Sequence, residues 1–291
     1  MKGKFKSFFG AAGYLLLAFL IQVIVSVVVG GTIGVIYTIN NINEITANGP
    51  NIEDMTNSIL GLTNYILLAS SIITVLTFLL IYKVRKKSTK KELQIVKTKN
   101  INLIIAGVLG VCVWLFNSGV LSLIEEAGLL TKYFDAMNQI LSPLAEGSII
   151  ISIITVGIVA PFAEEVLFRG IIYKTLNKNI SITWTIIIQA LLFGLFHGNL
   201  IQGSYATLLG LIFGYVTYKT KSLWPAIIMH MVNNTIATIL PMFLSESIMV
   251  TGTFIGFMIF GIIGIVISLL FIKKKNNDDE SEEFSFINYN N

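Results

Sequence analysis

The chain has 291 residues, 54% of them hydrophobic and 12% charged, with a mean hydropathy of +0.79. A soluble domain carries about twice that charged fraction, so a water-soluble globular protein is excluded. The net charge of +4 does not point to nucleic acid, because the basic residues gather in a few short loops. One cysteine, Cys112, rules out an internal disulfide. It lies in an apolar run and reads as a small packing residue; no CxxC or zinc-finger spacing accompanies it.

The apolar runs are long enough for membrane helices rather than barrel strands, so the expected fold is all-α and polytopic. Eight transmembrane helices are predicted, near 8–37, 59–82, 101–124, 148–176, 180–200, 203–218, 224–244 and 249–272. The opening MKGKFK and the run after it have the look of a signal peptide. That run is too long for such a core and lacks an A-x-A site, so it reads as a retained first helix.

The polar breaks alternate in charge. Residues 40–58 carry Glu44, Glu53 and Asp54 and no Lys or Arg, whereas 83–100 carry eight basic residues. Loop 125–147 is acidic again and amphipathic around Tyr133–Leu141, a segment expected to lie along the membrane surface. Counting from a cytoplasmic N-terminus puts every one of the 20 basic residues except Lys132 on the inner side. The positive-inside rule therefore predicts N- and C-termini that are both cytoplasmic.

The expected organisation is three N-terminal membrane helices with the amphipathic loop (1–147), a second membrane domain (148–272) and a disordered cytoplasmic tail (273–291). The tail is acidic and polar. Small-residue spacings at Gly30/Gly34, Gly194/Gly198, Gly210/Gly214 and Gly252/Gly256 are expected to allow close helix packing. No internal repeat is evident.

One stretch stands out from this apolar background, Pro161-Phe162-Ala163-Glu164-Glu165-Val166-Leu167-Phe168-Arg169-Gly170. A charge at the bilayer centre costs at least about 2.5 kcal/mol, so three need a reason. Glu165 and Arg169 stand at i and i+4, with the acid before the base, and are predicted to pair. Glu164 is turned about 100° away on a helix and is predicted to remain available. The two histidines of the chain both lie in apolar spans, in Phe193-Gly194-Leu195-Phe196-His197 and in His230-Met231-Val232-Asn233-Asn234.

Glu164 precedes the turn near Asn177–Asn179 by about 14 residues and His197 follows it by about 18. At about 1.5 Å per residue both lie roughly 21–27 Å from the same end. His230 and Asn234 are one turn apart on one face, about 9 and 13 residues beyond Lys221 or roughly 14–20 Å, so slightly nearer the cytoplasm.

The ordered trio E-E-x-x-x-R, F-x-x-x-H and H-x-x-x-N resembles the CPBP family. This family comprises the CAAX prenyl endopeptidases and the bacterial bacteriocin-processing and immunity proteins, also called Abi. Glu164, Glu165, Arg169, Phe193, His197, His230 and Asn234 match without substitution, all within roughly 155–240. The resemblance implies an intramembrane endopeptidase acting on a peptide or protein substrate in or at the lipid bilayer.

The residues suit hydrolysis. A carboxylate shielded from bulk water is a capable base, which makes Glu164 the expected activator of water, helped by His197. His230 and Asn234 are expected oxyanion donors, with Asn233 off their face. Glu165 and Arg169 are expected to support, and Phe193 to wall the cavity. A metal-dependent version would use Glu164, His197 and His230 around Zn2+, although H-E-x-x-H is absent; the expectation is a site without a metal cofactor.

Two other classes compete: an ion- or proton-coupled transporter using the same buried charge, and a non-catalytic immunity protein that acts by binding. Confinement of the buried charge to one cluster favours the protease. Richness in Ile, Asn and Lys suggests a bacterial cell membrane, and with it peptide maturation or secretion-signal processing rather than prenylated substrates.

Overall fold

The computed structural model describes the backbone of residues 2–289 apart from Glu146 and Glu246, and the side chains of these residues up to Lys275. The described residues are helical throughout, with no strand among them. The helices are α1 (Lys2–Asn40), α2 (Ile42–Asn48), α3 (Ile52–Leu60), α4 (Thr63–Val84), α5 (Thr89–Glu92), α6 (Asn100–Glu126) and α7 (Thr131–Ala145). There follow α8 (Ile149–Asn177), α9 (Ile182–Phe196), α10 (Leu200–Thr220), α11 (Trp224–Ile239) and α12 (Thr251–Tyr289).

Six of these, α1, α4, α6, α8, α10 and the Thr251–Lys275 part of α12, are long and apolar enough to cross a membrane. The chain is thus a polytopic helical membrane protein. Each of the eight predicted spans falls on a helix, but two are short. α9 has 15 residues and α11 has 16, or about 22–24 Å against a hydrocarbon thickness of about 30 Å. The predicted spans 180–200 and 224–244 ran too far because their apolar flanks belong to the turn at 197–199 and to the short 3-10 turn Leu240–Met242.

The predicted amphipathic segment is α7. It packs inward at Phe134 and Pro143. Asn64 Nδ2 and Ser152 Oγ both donate to the Leu144 carbonyl, at 3.0 and 2.8 Å, which fixes its end to α4 and α8. α12 continues to Tyr289; no Gly or Pro follows Gly264 to stop the helix. Asn290 and Asn291 lie outside the described residues.

α8 is the axis of the molecule. It touches α1, α4, α9, α10 and α11, and every residue from Glu165 to Tyr173 is buried. A helix apolar all round is one buried all round. Two of its segments, Ile153–Val159 and Val166–Ile172, are wound as π-helix, with Ala160 N–H reaching the Thr155 carbonyl and Tyr173 N–H that of Phe168. Such windings often mark functional sites; the single α-helical turn between them, Ala160–Glu165, carries both motif acids.

Glycines set the close approaches. A Cβ on Gly210 would lie 2.7 Å from Ala190 Cα, and one on Gly194 2.5 Å from the Gly203 carbonyl, so α9 and α10 meet backbone to backbone. Of the predicted spacings only Gly194, Gly210 and Gly214 behave this way. Gly34, Gly252 and Gly256 face open space, and Gly198 serves instead as a turn residue at φ +66°. Sequence reading missed Gly119 and Gly261, which seat α6 against α12.

The basic stretch after α4 is docked, not free. Leu93 is fully buried over Gly170 of α8. Ser222 Oγ donates to the Val96 carbonyl at 2.7 Å, and Leu223 N–H to that of Gln94 at 3.0 Å.

Candidate active site

The pair predicted by i, i+4 spacing is present. Arg169 Nη1 donates to Glu165 Oε1 at 2.7 Å, and both side chains are fully buried. Arg169 Nε and Nη2 have no hydrogen-bond partner among the described residues. The guanidinium instead lies over two rings, 4.3 Å from the Phe193 centroid and 5.0 Å from that of Phe213. One carboxylate and two aromatic faces thus offset the burial of this cation.

His230 completes the buried cluster. Its Nδ1 lies 2.8 Å from the same Glu165 Oε1, and its Nε2 lies 3.8 Å from Glu164 Oε2. A carboxylate that receives Nδ1–H fixes the ring and turns Nε2 towards Glu164. The adjacent acids therefore differ sharply. Glu165 is held by Arg169 and His230 at 0% exposure, whereas Glu164 keeps 20% of its side-chain surface and accepts no hydrogen bond among the described residues.

Glu164 borders a small cavity of about 20 Å³ that Ala18, Gln22, Ser71, Thr74, Ala163, Leu167 and Phe196 also line. About 10–15 Å³ suffices for one water if polar partners surround it. Partners are present. Ser71 and Thr74 are 7% and 6% exposed, and neither hydroxyl bonds to a protein group among the described residues. Ser70, by contrast, donates to the Leu67 carbonyl at 3.0 Å and Thr238 to that of Asn234 at 2.8 Å, as membrane hydroxyls usually do. Sequence reading missed Gln22, Ser71 and Thr74; the signal was an uncompensated polar residue at i and i+3 in an apolar span.

His197 sits at the rim. It is the residue just after α9, and its Nδ1 is 2.8 Å from the Phe193 carbonyl. The Phe193 ring stands between the two imidazoles, 4.9 Å from His197 and 5.8 Å from His230. His230 Nε2 lies within 4 Å of Glu164; His197, expected to help Glu164 hold the water, has its Nδ1 turned to the Phe193 carbonyl.

Asn234 lies on α11 as expected, but its Nδ2 donates to the Val156 carbonyl at 3.1 Å. It thereby ties α11 to the first π-helical segment of α8, which Thr235 against Gly157 reinforces. Asn233 is buried too and donates to Asn234 Oδ1 at 3.0 Å. Among the described residues no three His, Cys, Asp or Glu side chains are grouped to hold a metal ion.

Comparison with known proteins finds similarity over the segment that carries this cluster. Residues 146–236 match the model of the Type II CAAX prenyl endopeptidase Rce1-like family. Over 88 residues the chain is 32% identical to the Bacillus subtilis (strain 168) protein named "Putative membrane peptidase YdiL". That alignment covers 30% of this chain and 36% of the relative, so the match is confined to about a third of each. No solved structure is significantly similar to the chain.

Proposed function

We propose that the protein is a CPBP-type intramembrane endopeptidase in which Glu164 activates water, a reading supported by the match of residues 146–236 to the Rce1-like model. The observation that carries this reading is the asymmetry of the two acids: Glu165 is consumed by Arg169 and His230, and Glu164 borders a water-sized cavity.

A separation of 3.8 Å between Glu164 Oε2 and His230 Nε2 exceeds a direct hydrogen bond but lets both atoms contact one oxygen. Glu165 and Arg169 cancel in charge, and Glu164 as a carboxylate beside His230 with both ring nitrogens protonated is neutral overall. In the proposed cycle water attacks the peptide carbonyl as Glu164 takes its proton. His230 Nε2–H stabilises the oxyanion, Glu164 returns the proton to the leaving nitrogen, and the C–N bond breaks to give a carboxylic acid and an amine.

Ser71 and Thr74 hold the water. His197 is assigned to the oxyanion or the substrate carbonyl from beyond Phe193, and Asn234 to fixing α11 against α8. No step is routed through a metal.

The substrate is a peptide bond of a membrane-associated or secreted polypeptide, cleaved in a bacterial cell membrane with both termini of the enzyme cytoplasmic. Comparative proteomics of membrane peptide ends, wild type against Glu164→Gln, tests the proposal, with chelator-treated wild-type membranes as a second arm. Peptide ends lost in the variant and retained under chelation are expected. Identical peptide ends in wild type and variant would leave a binding or transport protein, and loss under chelation would reinstate zinc.

A further inference from the structure

A second and much larger cavity, of about 750 Å³, lies next to the Glu164 cavity along the α1–α4 seam, towards the start of α1 and the end of α4. Its walls are α1 from Gly3 to Leu17, the end of α4 at Ile81, Tyr82 and Arg85, the docked basic stretch at Lys87 and Glu92, and the end of α8 with the turn after it, from Lys174 to Asn179. The volume falls within the range of about 300–1,000 Å³ typical of ligand sites.

Five basic side chains line it, Lys6, Arg85, Lys87, Lys174 and Lys178, against one acid, Glu92. That acid is used by Lys87 at 3.7 Å. Among the described residues the other four cations have no carboxylate partner. Arg85 Nη1 donates to the Tyr14 hydroxyl at 2.9 Å and Lys174 Nζ to the Lys91 carbonyl at 3.2 Å, contacts that aim the side chains without neutralising them. Asn179 and Ser7 join across the floor at 2.9 Å.

Basic residues at one membrane face are common and by themselves attract anions only diffusely. Here they converge on a hollow that glycine creates. Gly10 and Gly13 both line it, and a Cβ on Gly13 would meet nothing within 4 Å. The hollow is amphipathic. Leu17 and Ile81 continue it towards the membrane interior, and the same turns of α1 and α4 present Phe9, Leu16, Leu80 and Val84 outward, all strongly exposed.

We propose that this cavity binds the phosphate headgroup of an anionic phospholipid, with Arg85, Lys174, Lys178 and Lys6 around the phosphate and the acyl chains along the outer faces of α1 and α4. The charge and volume suit an anionic, phosphate-bearing ligand; the apolar rim in two membrane spans makes a lipid the source in preference to free phosphate. The inference is independent of the chemistry at Glu164.

The test is lipid retention by the full chain purified in detergent and read by native mass spectrometry, with phosphatidylglycerol and phosphatidylcholine supplied in equal amounts. One phosphatidylglycerol per chain, retained at least tenfold over phosphatidylcholine, is expected. Gly13→Leu fills the hollow without changing charge and should abolish that retention. Arg85→Gln with Lys174→Gln should abolish it by a separate route. Lys273→Gln with Lys274→Gln removes as much charge from α12 and should leave it intact.

Equal retention of the two lipids, or retention that Gly13→Leu leaves unchanged, would overturn the proposal and reduce the cluster to diffuse surface charge. Inorganic phosphate that binds as tightly as the lipid would overturn the lipid assignment in favour of a soluble phosphate.

Discussion

Apolar 18-residue stretches of α1 and α8 have nearly the same mean hydropathy, 2.5 and 2.0, yet only 17% of the first stretch is buried within the protein against 44% of the second. α1 meets its neighbours through small residues such as Ala11 and Ala18 and gives most of its surface to lipid. α8 is enclosed from Glu165 to Tyr173 and holds two π-helical segments, a buried ion pair and both motif acids. A span facing lipid needs length and apolarity, which many sequences supply. A span enclosed on all sides by other helices needs each side chain to fit and each charge to be answered, and it is there that chemistry becomes possible.

The largest effect should come from breaking the enclosed pair. Arg169→Leu leaves Glu165 as a buried carboxylate with only His230 beside it and should cost about 3–5 kcal/mol, read as a loss of folded yield and a lower unfolding temperature in detergent. Preserved stability would show that the pair is not structural.

A smaller effect is expected at the seam where the two kinds of helix meet. Thr74→Val or Ser71→Ala removes a hydroxyl from the Glu164 cavity without changing its size much. Turnover should fall by about tenfold, equivalent to about 1.4 kcal/mol, with KM and unfolding temperature unchanged, and Thr74→Ser should restore it. A parallel rise in KM would make the hydroxyls substrate contacts rather than water partners.

The smallest effect belongs to the lipid-facing helix. Phe9 is 67% exposed, and Phe9→Leu should change stability by less than about 0.5 kcal/mol. A larger loss would mean that the outer face of α1 is covered by more than lipid.

The Glu165–Arg169 pair was legible because i, i+4 geometry is local. The gathering of Glu164, Glu165 and His230 from two helices followed from depth and resemblance. Three features were not legible. Hydropathy does not register where an apolar helix stops, so α9 and α11 were drawn too long. A π-helical turn reflects packing around α8 and leaves no mark in Ile153–Val159. The choice between His197 and His230 as the neighbour of Glu164 depends on rotation of α9 and α11 about their axes, which spacing alone leaves free. The α1 and α4 wall lay outside every motif, and only the lone polar groups Gln22, Ser71 and Thr74 hinted at it.

The central claim is that two adjacent glutamates do different work, and it is tested by measuring turnover and unfolding temperature for Glu164→Gln and Glu165→Gln side by side. Glu164→Gln should lose about 10²–10⁴-fold in turnover while unfolding at the wild-type temperature, and Glu165→Gln should unfold at a markedly lower temperature because Arg169 is left without its carboxylate. A Glu164→Gln protein that still cleaves at the wild-type rate would contradict the account.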